Sequence, residues 1–338
     1  MEMALYYPQH GYYTSPREKI GVRGDFYTSP AFSPVFGTLL ARQIAEMYEQ
    51  VGQDQFTIVE YGAGPGFLCY DILQSLRKTS IYDKINYCII EKSPAMVEMA
   101  KALLPEKVKW CNSMKELNGV CGCVISNELV DNFAVHRVIK ERELMEIRVD
   151  HGDAFAEVKV PARAELQNYL EDLKIEIPQD HSTEINLQAL DWMEEVATSL
   201  LKGFVITIDY GHPSSDFFYG CNKNGTLTCY HKHNAHKKPY INIGRQDITS
   251  HVNFSALCLG GHRHGLELTG FTSQRHFLTS LGFFEEVKKT AIPGQDYQNY
   301  KRERALTNTL LGDMGHKFKV LIQQKNIDKY NLRGRRMN

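Results

Sequence analysis

The stretch TIVEYGAGPGFLCYDIL, residues 57–73, decides the fold. An apolar run ends in Glu60, glycines follow at 62, 64 and 66, and a second apolar run resumes at helical spacing. A strand that passes through a glycine-rich turn into a helix is the opening unit of a doubly wound sheet, which binds ligands beyond the carboxyl ends of its strands. The turn is not a dinucleotide fingerprint: G-x-G-x-x-G begun at Gly62 needs a third glycine at position 67, and that residue is Phe67. No Gly-Lys-Ser/Thr follows, so a triphosphate loop is excluded as well. What remains is acid-x-G-x-G-x-G. Here Gly62, Ala63, Gly64 and Gly66 let the backbone approach a ligand, and Glu60 stands to accept hydrogen bonds from it. Such a turn suits a zwitterion better than a pyrophosphate, the alternative being an ordinary tight turn with a solvated acid.

Outward from that turn the chain alternates strands and helices. Strand signals at 57–61, 87–91, 108–111 and 122–126 are separated by helical segments that begin at Pro65 and Pro94. This rhythm predicts a mostly parallel sheet with helices on both faces, a Rossmann-like α/β fold. Residues 1–55 read as a loop-rich lead-in followed by a helix, with Ser33 as N-cap, Pro34 at the first helical position and an apolar face running to about residue 50. Residues 56–136 form the first half of the ligand-binding domain. Residues 137–202 read as an insertion: a hairpin with its turn at 151–153, then two helices, the second carrying Ile185, Leu190, Met193, Val196 and Leu200 on one face. Residues 203–211 supply another core strand, and 251–338 complete the domain. Between them, 212–250 are polar and rich in Gly, His, Lys and Asn. They are too long for a simple connection, and are expected to form a substrate-facing insertion over the sheet's carboxyl edge.

Composition narrows the function. With 338 residues, 43% of them hydrophobic, the chain can bury one large core or two ordinary ones, and no stretch has the ~20 apolar residues of a membrane span. The start, MEMALYYPQHGYY, has an acid at position 2 and no basic region, so it does not read as a targeting segment, and a cytoplasmic location is expected. The eight cysteines show no CxxC pairing and mostly sit in apolar runs, which predicts reduced thiols without zinc. A formal net charge of −1 provides no general field for nucleic acid; only the tail at 331–336 is basic, and it reads as a solvated terminus. The segment Cys229-Tyr230-His231-Lys232-His233-Asn234-Ala235-His236 brings imidazoles and a thiol together, but its interleaved lysines argue against a metal, so none is expected.

The second strand ends in Glu91, where a carboxylate of a doubly wound sheet can accept both hydroxyls of a ribose. Glu91 and the glycine turn together describe a nucleoside with a cationic or zwitterionic tail. S-adenosylmethionine fits, with its ribose at Glu91, its methionine end near the turn, and Asn127 among the cofactor contacts.

The fourth strand delivers Ser126-Asn127-Glu128-Leu129-Val130-Asp131-Asn132-Phe133-Ala134-Val135-His136 to the same edge. The Asn/Asp-Pro-Pro-Tyr signature of base amino-methylation is missing, so nucleic acid is not the favoured acceptor. Carboxylates at 128 and 131 suit a guanidinium, whose fork of donors pairs with carboxylates, which makes an arginine in a protein the leading acceptor. Glu128 and Asp131 would orient it and His136 would relay the proton. The alternatives are a turn role for Asp131 and a structural imidazole beside apolar Val135. Asp209 and Tyr210 end another strand near the same edge, as site residues or as the acid of a turn. Tyr13, Asp25, Phe26 and Thr28, in the aromatic lead-in, are expected to close over the cofactor or the acceptor.

Nearly the whole chain resembles the MidA-like family. The resemblance rests on Ala4-Leu5-Tyr6, His10-Gly11-Tyr12-Tyr13, Gly24 through Thr28, Glu60 through Gly66, and Ser126 through Leu129 with Asp131 and Val135-His136. It continues in Asp209-Tyr210-Gly211, Gly225-Thr226-Leu227 with Tyr230, and Asp247-Ile248-Thr249 with His251, Val252 and Phe254. It implies the class I methyltransferase fold, S-adenosylmethionine, and an arginine acceptor, which in mitochondrial members lies in a complex I subunit. Ala134 stands where the family usually has proline, and the chain begins almost on the first family motif, as if a short N-terminal helix of its relatives were absent. Without a targeting segment the chain looks like a bacterial member. The rival classes are a non-catalytic assembly factor that binds the cofactor and a methyltransferase for a small molecule or nucleic acid.

Overall fold

The computed structural model describes residues 1–17, 19–21, 24–52, 54–217, 223–328 and 331–335; Cys221 and Arg336 lie outside the described residues. The central sheet has strands β1 (Phe56–Tyr61), β2 (Ile85–Ile90), β3 (Lys109–Cys111), β4 (Val120–Asn127), β5 (Leu200–His212), β6 (Glu267–Ser273) and β7 (Phe318–Lys325). Their order is β6-β7-β5-β4-β1-β2-β3, with the short strand Val252–Asn253 added beside β5. The run from β5 to β3 is parallel and β7 is antiparallel to both neighbours. This is the mostly parallel, Rossmann-like sheet that the strand rhythm predicts, and it agrees with the class I methyltransferase fold that the family resemblance implies.

Alternation along the strands divides the core between two faces. Phe56 and Ile58 of β1 pack with Ile125 and Ile206 under the helices Pro34–Val51 and Phe67–Leu76. Val59 and Tyr61 point the other way, with Val124 and Val205, against the helices Leu187–Ser199 and Phe254–Arg263. Ser33 caps the first long helix as the sequence predicts, its hydroxyl accepting from Val35 N at 3.2 Å.

The inserted segments are more regular than the sequence suggests. Strands Phe155–Pro161, Leu144–His151, His136–Lys140 and Ser182–Ile185 form an antiparallel sheet in that order. Ile185 therefore belongs to a strand rather than to the helical face on which the spacing places it. Asn186 Oδ1 caps the following helix at Ala189 N, 2.9 Å away, and so fixes the boundary. Within 212–250, strands Thr228–His231, Asn234–His236 and Asp247–Thr249 pair as a small sheet. The loop-rich lead-in also contains a short helix, Glu2–Tyr6, which the sequence reading did not place; it forms because Leu5, with Tyr12, has a core to enter, shared with Cys229 and Ile248 of the insertion. Among the described residues no helix is long and apolar enough to cross a membrane.

Candidate active site

The carboxyl ends of β1, β2, β4 and β5 open into a cavity of about 1260 Å³. The lead-in covers it with Tyr13, Phe26 and Thr28, and the insertion with Tyr230, Asp247 and Thr249, so the insertion does reach the sheet's carboxyl edge.

On one side lies the glycine turn. Gly62, Gly64 and Gly66 have φ of 69°, 53° and 86°, the left-handed region that side chains disfavour. A Cβ at Gly62 would also meet Leu129 Cδ1 at 2.7 Å, whereas at Gly64 it would meet only Ile20 Cδ1, at 3.9 Å. The backbone at Gly64 is thus bare toward the cavity. Gly64 N donates to Glu91 Oε2 (3.0 Å) and Ser93 N to Glu91 Oε1 (2.8 Å), which holds that carboxylate against the turn. Burial pushes the Glu91 carboxyl up, and those amides oppose the shift. Glu60 is buried beneath the turn, where it lines the cavity and accepts from Tyr87 Oη at 2.6 Å; burial raises it to about 7. Ala63 completes this wall, together with Asn112 beyond β3 and Trp192 from the helix Leu187–Ser199. The sequence reading missed Asn112 and Trp192. A polar residue directly after the third strand was the available signal for Asn112; Trp192 reads only as part of an apolar helix face.

The opposite side is acidic. Glu128 leaves β4 with φ 53°, a costly conformation for a side chain, held by its N–H donating to Ile208 O at 2.9 Å. Its Oε1 accepts from Ser29 N and Asn127 Nδ2, both at 3.1 Å, and burial raises its carboxyl to about 8. Asp131 is 3% exposed and accepts from Tyr210 Oη through Oδ2, while its buried Oδ1 has no protein partner. Burial, and then the neighbouring Asp209, push the Asp131 carboxyl well up. Asp247 joins from the insertion. Its Oδ1 accepts from Tyr13 Oη (3.0 Å), Asn132 Nδ2 (3.1 Å) and Ile248 N (2.9 Å), and burial raises it to about 7. Asp247 was read only as part of the family resemblance, because nothing in the sequence pattern brings it to β4.

Four expected site residues stand elsewhere. Asp209 does not line the cavity: fully buried, it accepts through Oδ2 from the amides of Leu129, Val130 and Asp131 (3.2, 2.9 and 3.3 Å) and through Oδ1 from Tyr210 N. Asp25 is likewise turned away, its oxygens taken by Tyr12 Oη (2.8 Å), Arg17 (3.3 Å) and Lys232 N (2.6 Å), so it clamps the lead-in to the insertion. His136 begins a strand of the antiparallel sheet outside the cavity, where its ring is engaged by Glu146 (3.0 Å) and Arg163 (2.7 Å). That position, away from the acid wall, favours the structural imidazole of its two readings over the proton relay. Gly66 lies behind the wall and starts the helix Phe67–Leu76. Tyr13, Phe26, Thr28, Tyr210 and Asn127 do line the cavity. In the histidine-rich segment, His231 Nδ1 meets Arg245 O at 2.9 Å and His233 stacks on Tyr27; among the described residues no group of three metal-ligating side chains is gathered.

Bare backbone at Gly64, a carboxylate held beside it and, across the cavity, the buried Asp131 with one unpartnered oxygen fit a nucleoside with a polar, charged tail. The comparisons with known proteins agree. Residues 39–272 match the family described as "Putative S-adenosyl-L-methionine-dependent methyltransferase". The chain belongs to this family. A COG1565 superfamily member from Burkholderia thailandensis, solved bound to S-adenosyl-homocysteine, superposes with a TM-score of 0.87 at 31% identity, over 98% of this chain and 88% of that one. Protein arginine methyltransferase NDUFAF7 homolog of Drosophila melanogaster is 24% identical, covering 99% of this chain and 83% of its own length. The Bos taurus protein arginine methyltransferase NDUFAF7 is 27% identical over 95% and 78%. This MidA-like methyltransferase binds S-adenosylmethionine, which supplies the methyl group for transfer.

Proposed function

We propose that the acceptor of this methyltransferase is the guanidinium of an arginine in a protein substrate. The observation that carries the reading is Asp131 Oδ1, a buried carboxylate oxygen with no protein partner in a wall that also presents Glu128 and Asp247. An unpaired buried acceptor is costly, and three carboxyls around one space favour a cation with several N–H donors. The curated relatives named as protein arginine methyltransferases support the same acceptor. The family resemblance points further, to a subunit of respiratory complex I.

In this reading Glu91 accepts the ribose hydroxyls, while Glu60 and the backbone of Gly62, Ala63 and Gly64 face the methionine end. Asn127 bridges the two sides by fixing Glu128. Glu128 and Asp131 would orient one nitrogen of the guanidinium, and S-adenosylmethionine would supply the methyl group: its sulfonium S–C bond would break to leave S-adenosylhomocysteine as the new N–C bond forms and that nitrogen gives up its proton. A buried carboxyl raised to about 8 is matched to receiving a proton near neutral pH, so Glu128 takes the role first given to His136. Tyr13, Phe26, Thr28 and Tyr210 enclose the acceptor side. The test is to offer labelled methyl donor and the purified protein to a lysate of a strain lacking it, then identify the modified residue. Methylarginine in a protein is expected; label in nucleic acid or a small molecule would overturn the proposal.

A further inference from the structure

Tyr13 touches both sides of the cavity through different atoms. Its carbonyl accepts from Ser93 Oγ at 2.6 Å, and Ser93 N is the amide that donates to Glu91 Oε1 at 2.8 Å. Its phenol, at the far end of the side chain, has one hydrogen and two acceptors within reach, Asp247 Oδ1 at 3.0 Å and Asn132 Oδ1 at 3.1 Å. The ring between these ends is stacked on Tyr6, with centroids 5.5 Å apart, and meets Tyr12 edge-on at 5.0 Å. A residue whose ring is packed on two sides, and which is hydrogen-bonded at its main-chain carbonyl and at its phenol, has little freedom to absorb a shift at either.

We propose that Tyr13 is a positioning residue that couples occupancy of the cofactor side to the geometry of the acid wall, so that bound cofactor sets Asp247 for the acceptor. The proposal rests on the assignment of the ribose to Glu91. Ribose hydroxyls on Glu91 stabilise its ionised form, which strengthens the Ser93 N–H bond and fixes the corner that holds the Tyr13 carbonyl. The phenol then holds Asp247 in one place. Burial, with Asp247 beside it, keeps that phenol protonated and therefore a donor. Linkage makes the coupling reciprocal: damage at Asp247 must weaken the cofactor side, although Asp247 need not touch the cofactor.

Calorimetry with S-adenosylhomocysteine alone tests this without any methyl acceptor. Asp247→Ala is expected to weaken binding by about 5-fold in the otherwise native chain, the lower end of typical coupling factors, and to change nothing further in a Tyr13→Phe background. Equal losses in both backgrounds, or no loss in either, would overturn the coupling. If Asp247→Ala fails to fold, Asn132→Ala interrupts the same end of the path and replaces it in the cycle. Methylthioadenosine, which keeps the ribose but lacks the amino-acid tail, should show the same cycle; a cycle seen only with S-adenosylhomocysteine would mean that Asp247 touches the tail directly and would sink the proposal. Glu91→Ala separates the premise, because unchanged affinity in that variant removes the ribose assignment, whereas additivity with Glu91 intact removes only the coupling.

Discussion

The two sides of the cavity are built from different material. The glycine-turn side is mostly main chain, with left-handed glycines and an amide of the turn donating to the acid at the end of the neighbouring strand. The turn and the acid it holds lie between residues 60 and 93, with Asn112 and Trp192 added from further along the chain, and the shape of the turn follows from backbone conformation. The acidic side is made of carboxylates from two segments, Glu128 and Asp131 after β4 and Asp247 in the insertion, each fixed by a residue remote in sequence: Glu128 by Ser29, Asp131 by Tyr210 and Asp247 by Tyr13. A backbone site recognises whatever shares its shape, which suits a cofactor used by a whole family. A side-chain site assembled from remote segments can change its acceptor while the cofactor side stays as it is.

That contrast can be broken by mutation. The largest effect is expected from Glu128→Gln, which keeps shape and removes charge. Methyl transfer should fall by about 10²-fold or more while S-adenosylhomocysteine affinity holds, as for loss of one electrostatic catalytic group. Normal single-turnover methylation would remove Glu128 from the acceptor side, and a loss of cofactor affinity instead would move it to the other. On the opposite side, Glu91→Ala should weaken cofactor binding by about 1.5–3 kcal/mol, the range for a hydrogen bond to a charged group, with calorimetry as the readout.

The pH response sharpens the same division. Burial raises the folded-state carboxyls of Glu128 to about 8 and Asp247 to about 7, above their ordinary values. The folded protein therefore holds more protons than the unfolded chain between the ordinary carboxylate range and about pH 8. The stability these groups contribute is present at low pH and declines as pH rises through that window. Thermal unfolding of the ligand-free protein should show a falling midpoint from about pH 5 to 8, and Glu128→Gln should flatten it. With Glu128 as the proposed proton acceptor, which must be ionised to act, kcat/KM is expected to rise over the upper part of the same range. The smallest effect is expected from His136→Ala: its ring is paired with Glu146 and Arg163 outside the cavity, so kcat should change by less than about 2-fold, as is usual away from the chemistry. A larger drop with unchanged stability would return His136 to the mechanism.

Legibility in the sequence follows the same line. The order of elements, the glycine turn, Glu91 and Glu128 are local features, set by spacing within one βα unit or one strand end, and the structure places all of them on the cavity. Local spacing does not give contacts between distant segments. Asp209 reads as a strand-end acid that serves either a ligand or a turn, and the sequence does not show that the amides of residues 129–131, some eighty positions earlier, claim it. Asp25 is claimed in the same way by Lys232 N, which lies beyond the whole first half of the sheet. His136 misleads because its proximity to Asp131 in sequence is spent on a change of direction: Asp131 sits in the turn after β4 and His136 opens a different sheet.

Asp209 also moves a cost from one process to another. By gathering the amides of Leu129, Val130 and Asp131 on one oxygen, it immobilises the loop that carries both Glu128 and Asp131 before any acceptor arrives. Ordering a backbone residue costs roughly 1–2 kcal/mol, and here that cost falls on folding instead of on every encounter with substrate. Inherited or engineered changes at Asp209 should therefore reduce the amount of folded enzyme more than the speed of each molecule that does fold.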